Sequence, residues 1–177
     1  MASLGTRMIG AARLDAGTYE EVEADTTATG QAALVVVISS LCIALGAQLH
    51  AGLGGVVGVT LFRLAAWFIW ALVAWLVGTR LLPGAATQAD LGQLLRTLGF
   101  ASAPGVAGIL GAVPGLQGVV GIVVSLWMLA TMIVAVRQAL DYETTGRAVA
   151  VVVVGFLAYL LVAVVLVSVF VGAGPPP

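Results

Sequence analysis

Arg63 is the residue whose type and setting most invite chemistry: a charge within a long apolar run, four residues ahead of Trp67. On a helix that spacing puts guanidinium and indole on one face, where they could stack. An arginine at the centre of a membrane helix costs roughly 2.5–3.5 kcal/mol on insertion scales, and less near an end. One reading is an anion or headgroup site near the outer leaflet. The other, favoured, is an arginine snorkelling at a helix end beside interfacial tryptophans. Pro104 removes a backbone hydrogen bond from its helix, which either breaks the helix at a substrate site or bends it for packing, the reading preferred here.

Glycines recur at 105, 108, 111, 115, 118 and 121. Small residues at such steps let helices approach closely, so spans three and four could pack tightly against each other or against another copy of the chain, with Gly108 and Gly111 as candidates. Arg137 with Asp141, and Glu143 with Arg147, stand four residues apart. As helix extensions they would form exposed ion pairs worth little, or a patch that docks a partner, but a solvated loop is the reading preferred here.

Other chemistry lacks its parts. His50 is the single histidine and Cys42 the single cysteine, so neither a triad, a cysteine metal site nor a disulfide forms within one chain. Ser39, Ser40, Ser102 and Ser125 have no base to activate them, and the acidic run Glu20–Asp25 has no histidine beside it. The expectation is a protein without catalytic activity, cofactor or metal. A net charge of −1 and no basic cluster speak against nucleic acid as a partner.

The elements that hold these residues are membrane helices. The chain is 61% hydrophobic and only 8% charged, with a mean hydropathy of +1.15. An average soluble domain is about 25% charged. Crossing a ~30 Å hydrocarbon core takes about 20 helical residues, which divides the chain into five spans near 31–49, 56–82, 98–113, 116–136 and 148–171. Between Thr97 and Val136 no charge appears, and one helix that long would reach roughly 60 Å. The chain therefore turns back at Val113-Pro114-Gly115. Span three is short, glycine-rich and carries Pro104, so a re-entrant hairpin is its alternative.

Arginines set the orientation. An inside N-terminus places Arg7, Arg13, Arg80, Arg96, Arg137 and Arg147 on one side and at most Arg63 on the other. The expectation is a cytoplasmic tail over 1–30, a membrane domain over 31–172 and a short outer tail at 173–177. The all-arginine, lysine-free composition reads as a GC-rich, bacterial sequence, which makes the inner membrane its site. With acids ahead of the first long apolar run, that run is expected to remain as a signal anchor. Within the tail, Thr18 and Glu21 fit a capping box for a helix over Thr18 to Ala24. Leu4, Met8 and Ala11 share a face that would lie on the inner leaflet beside Arg7 and Arg13.

Further residues carry a resemblance. They are Arg13-Leu14-Asp15 through Thr18-Tyr19-Glu20-Glu21-Val22 before span one, Arg96-Thr97-Leu98-Gly99-Phe100 to Pro104 at span three, Trp127 in span four, and Arg137 through Arg147-Ala148 into the last span. In this order they resemble the bacterial branch of the YIP family, whose eukaryotic members are Ypt/Rab-interacting membrane proteins. The resemblance implies an all-α, five-pass bundle with a cytosolic N-terminus. Eukaryotic members bind small GTPases; that role is not carried over, because the acidic-aromatic-glycine-proline signature of their tails is missing. The function expected is a non-enzymatic scaffold or adaptor in the lipid bilayer, assembling with itself or another membrane protein. A small oligomeric transporter or channel, with Arg63 and Pro104 near its path, is the alternative.

Overall fold

The computed structural model describes residues 2–47, 52–85 and 87–172, with 52, 53, 159 and 161–172 as backbone alone. His50 and the tail at 173–177 lie outside these residues. All regular elements among the described residues are helical. In order they are α1 (Leu4–Ala12), α2 (Ala16–Ala24), a short 3₁₀ turn (Thr26–Ala28), α3 (Thr29–Gly46), α4 (Gly52–Leu76), a π-helical turn (Val77–Leu81), α5 (Leu91–Phe100), a longer stretch, the 3₁₀ segment (Ala103–Ala112), α6 (Gln117–Ala139) and α7 (Thr145–Gly172). Four helical runs are long and apolar enough to cross a membrane: Thr26–Gly46, Gly54–Leu81, Leu91–Ala112 and Gln117–Ala139. The apolar stretch Thr145–Ala158 opens α7, which continues to Gly172.

The third run starts earlier than its hydropathy suggested. Asp90 caps α5 by accepting from the Gln93 backbone N–H at 2.9 Å, while the Gln93 side chain accepts from the Asp90 N–H at 2.6 Å. This reciprocal cap makes a first helical turn out of residues read as loop, and it puts Arg96 inside the helix. The run is also the centre of the bundle. Its apolar window is 67% buried, against 6% for the run containing α4 and 22% for α6.

Pro104 does not bend an α-helix here. It stands at the start of the 3₁₀ segment, where its missing N–H is no loss. Three residues per turn align Gly105, Gly108 and Gly111 on one face, and all three are buried. That face lies on α3. A Cβ on Gly105 would meet Ser39 Cβ at 2.9 Å, and one on Gly108 would meet Ile43 Cγ1 at 2.7 Å. One on Gly46 of α3 would run into the Gly108 carbonyl oxygen. Spans three and four do meet, α6 lying on the 3₁₀ segment, but Gly108 and Gly111 themselves are taken up by packing against α3 within the chain. The turn at Pro114-Gly115 is observed, with Gly115 at φ +83°, a conformation that favours glycine.

The amino-terminal elements form a collar over the bundle. Asp15, not Thr18, caps α2: its carboxylate accepts from the Thr18 N–H at 3.1 Å. Glu21 is turned instead to Arg7, so the expected Thr18–Glu21 box does not form. Ala11 is fully buried and Leu4 and Met8 pack against the core, so that face of α1 meets the protein and not the leaflet. Ile9 and Leu14 are the exposed apolar residues of this region.

Candidate functional site: the Arg63 cavity

Two serines on α3 prepare the site. Ser39 Oγ donates to the Ser102 carbonyl at 2.6 Å, tying α3 to the joint between α5 and the 3₁₀ segment. Ser40 Oγ donates to the Val36 carbonyl one turn back, at 2.6 Å. This leaves the Ser40 oxygen as an acceptor, and Arg63 Nε of α4 donates to it at 3.0 Å. Ser40 is buried and Arg63 half-buried. Counting 1.5 Å per residue, Arg63 is about 14 Å from Gly54 and Ser40 about 9 Å from Gly46. Both lie well inside a ~30 Å core.

Among the described residues no carboxylate reaches Arg63; the ion pairs present both belong to Arg7. Nor does any acceptor among them meet Arg63 Nη1 or Nη2. Trp67 and Arg63 do line one cavity, as their spacing predicted, but their hydrogen bonds diverge. Trp67 Nε1 donates to the Leu95 carbonyl at 3.1 Å, and Trp75 Nε1 to that of Ala89 at 3.0 Å. The indole nitrogen of Trp70, between them, is buried with no acceptor among the described residues.

The cavity measures about 1010 Å³. Its walls are α3, α4, the 3₁₀ segment, α6 and α7, with Gly108 and Gly111 at one side and Met128, Met132, Val152 and Phe156 at the other. Among the described residues, Arg63 is the one charged residue lining it. It arises because α4 packs on α3, α5 and α7, and α6 on α5, the 3₁₀ segment and α7, while α4 and α6 scarcely meet.

Arg137, in the last turn of α6, and Asp141, in the loop before α7, do not line this cavity and form no ion pair with each other. α6 ends at Ala139 and Asp141 takes φ +51°, so the helix does not continue to bring the two together. Arg137 instead donates to the carbonyls of Tyr142 at 3.2 Å and Glu143 at 3.1 Å, and Arg147 to that of Pro83 at 3.2 Å. The expected Glu143–Arg147 pair is likewise absent.

Sequence reasoning missed two buried arginines. Arg7, 2% exposed, donates to Glu21 at 2.9 Å, Asp25 at 2.7 Å and Gln31 at 3.1 Å. Arg96, 6% exposed, donates to the carbonyls at the end of α2. Both had been counted only as charges setting orientation. The Asp90-x-x-Gln93 cap was the available signal for Arg96.

A family model for the Yip1 domain matches residues 16–166. The chain belongs to the Yip1 domain family. The match begins at α2 and ends within α7, so the Yip1 domain includes the Arg63 cavity and the Arg96 contact but not α1. No curated protein and no solved structure matches the chain. The Yip1 domain here is thus a helical membrane domain with a closely packed central run, a capped collar and one large apolar cavity.

Proposed function

We propose that this chain is a non-enzymatic scaffold of a bacterial inner membrane, crossing it five times with the N-terminus in the cytoplasm and the C-terminus outside. The fifth crossing is α7, whose 28 residues exceed the ~20 that a bilayer core requires. The inward side is argued from the arginines of the tail and of the loops around Pro83 and Tyr142. Cysteine labelling tests this arrangement in a Cys42→Ser background. An impermeant maleimide should reach Gly172→Cys but not Ala85→Cys in intact cells. Labelling of both or neither would remove the odd number of crossings.

The scaffold reading rests on one observation: Gly118 of α6 has open space where a Cβ would stand, beside exposed Val119 and Ile122. Unlike Gly108 and Gly111, it remains free for a second membrane helix. Crosslinking the tagged protein in its native membrane, followed by mass spectrometry, tests it. A near-stoichiometric partner that disappears with Gly118→Leu supports the scaffold. An unchanged partner set in that variant counts against it.

The second reading, a small oligomeric transporter or channel, draws on the uncompensated Arg63 in its cavity. It predicts solute flux in liposomes that Arg63→Ala abolishes. Vesicles that move nothing above protein-free controls would end it.

A further inference from the structure

We infer that the Arg63 cavity holds one molecule of an anionic phospholipid drawn from the bilayer, with the headgroup at Arg63 and the acyl chains against α6 and α7. This goes beyond the scaffold reading and does not depend on it. An ionised side chain within the membrane is normally paired. Arg63 has a neutral serine on Nε and, among the described residues, no acceptor on either Nη. A phosphodiester supplies what is missing, since its paired oxygens match the guanidinium fork.

Trp70 sits seven residues along α4 from Arg63, on the same helical face, and also lines the cavity. Its indole nitrogen is buried away from the open space, so the ring adds an apolar wall and the headgroup is held by Arg63.

Size and lining exclude a small polar ligand. About 1010 Å³ is at the top of the ~300–1,000 Å³ typical of small-molecule sites. Past Arg63 the walls are mostly apolar, with Ser102, Gln117 and Ser125 as the polar exceptions and Met128 and Met132 able to adapt to a flexible chain. The rim residues Phe62, Phe156 and Leu157 are 65%, 54% and 59% exposed, so the cavity opens through an apolar edge, where lipid and not water would surround it.

The test is native mass spectrometry of the full chain after delipidation in mild detergent and re-addition of phosphatidylglycerol, phosphatidylcholine or inorganic phosphate. The parent should retain one phosphatidylglycerol per chain, in at least tenfold preference to phosphatidylcholine. Arg63→Gln should erase that preference. If Arg63→Gln does not fold, Gly121→Phe decides: it projects a ring into the cavity from a position with open space around its Cβ, and should expel the lipid while the protein stays folded. Equal retention of both lipids by the parent, or undiminished phosphatidylglycerol in Gly121→Phe, would overturn the proposal. So would a stabilising response to inorganic phosphate alone, which would mark a site for soluble anions.

Discussion

Arg96 Nε donates to the backbone carbonyls of Val22 and Glu23, at 3.1 and 3.0 Å, across more than seventy residues of sequence. Helix ends leave carbonyls without intrahelical partners, and these two belong to the last turn of α2. A cation there also complements the negative end of the helix dipole. The collar and the central run are joined at this contact.

Arg96→Gln should therefore destabilise the protein by about 1.5–3 kcal/mol, the usual worth of a hydrogen bond to a charged group. Unfolding midpoints in detergent measure it. A variant as stable as the parent would mean that water replaces the guanidinium without penalty.

The two sets of glycines should respond in opposite ways. Gly108→Ala drives a methyl to 2.7 Å from Ile43 Cγ1 and 3.1 Å from Ile43 Cα. A loss of about 1–3 kcal/mol is expected from such overpacking. Gly118→Ala meets nothing within 4 Å and should leave stability unchanged, or raise it by up to about 1 kcal/mol through helix propensity. Thermal unfolding of the two variants side by side checks both signs.

Glu23 should make stability depend on pH. Burial, aided by the nearby charges of Asp141, Glu20 and Asp90 and opposed by Arg96, pushes its carboxyl from 4.5 up to about 7. The folded protein then binds this proton more tightly than the unfolded chain does. Stability from this group is complete below pH 4.5 and is lost as pH rises towards 7. Asp25, held down to about 2 first by Thr27 and then by Arg7, acts only at more acid pH. Melting temperatures from pH 4.5 to 8 should fall for the parent and flatten for Glu23→Gln. The difference between the two curves isolates the contribution of Glu23.

Arg7→Leu should release α1 alone. Its guanidinium joins Glu21, Asp25 and Gln31, and no other cation replaces it there among the described residues. Amide exchange over Leu4–Ala12 should quicken roughly tenfold or more, the factor for ~1.4 kcal/mol. Exchange in α3 and α6 should hold. Uniform acceleration through the chain would show instead that α1 supports the whole bundle.

The membrane class, the helical runs and the reversal at Pro114-Gly115 were all legible from composition and local pattern. Hydropathy adds up residue by residue along a helix, and a proline followed by glycine acts on its own backbone. For the same reason the sequence placed Arg63 inside an apolar run and put Trp67 on its face of the helix. What meets a side chain across the bundle was not legible. Arg96 looked like a loop charge because its acceptors, Val22 and Glu23, come from a helix docked on it. Gly108 looked available until α3 covered it, and Asp141 looked like a partner for Arg137 until a left-handed residue ended the helix. The Arg63 cavity belongs to the same class. It exists because α4 and α6 are held apart by the elements each packs on, and the spacing of two helices is a property of their docking, not of either sequence alone.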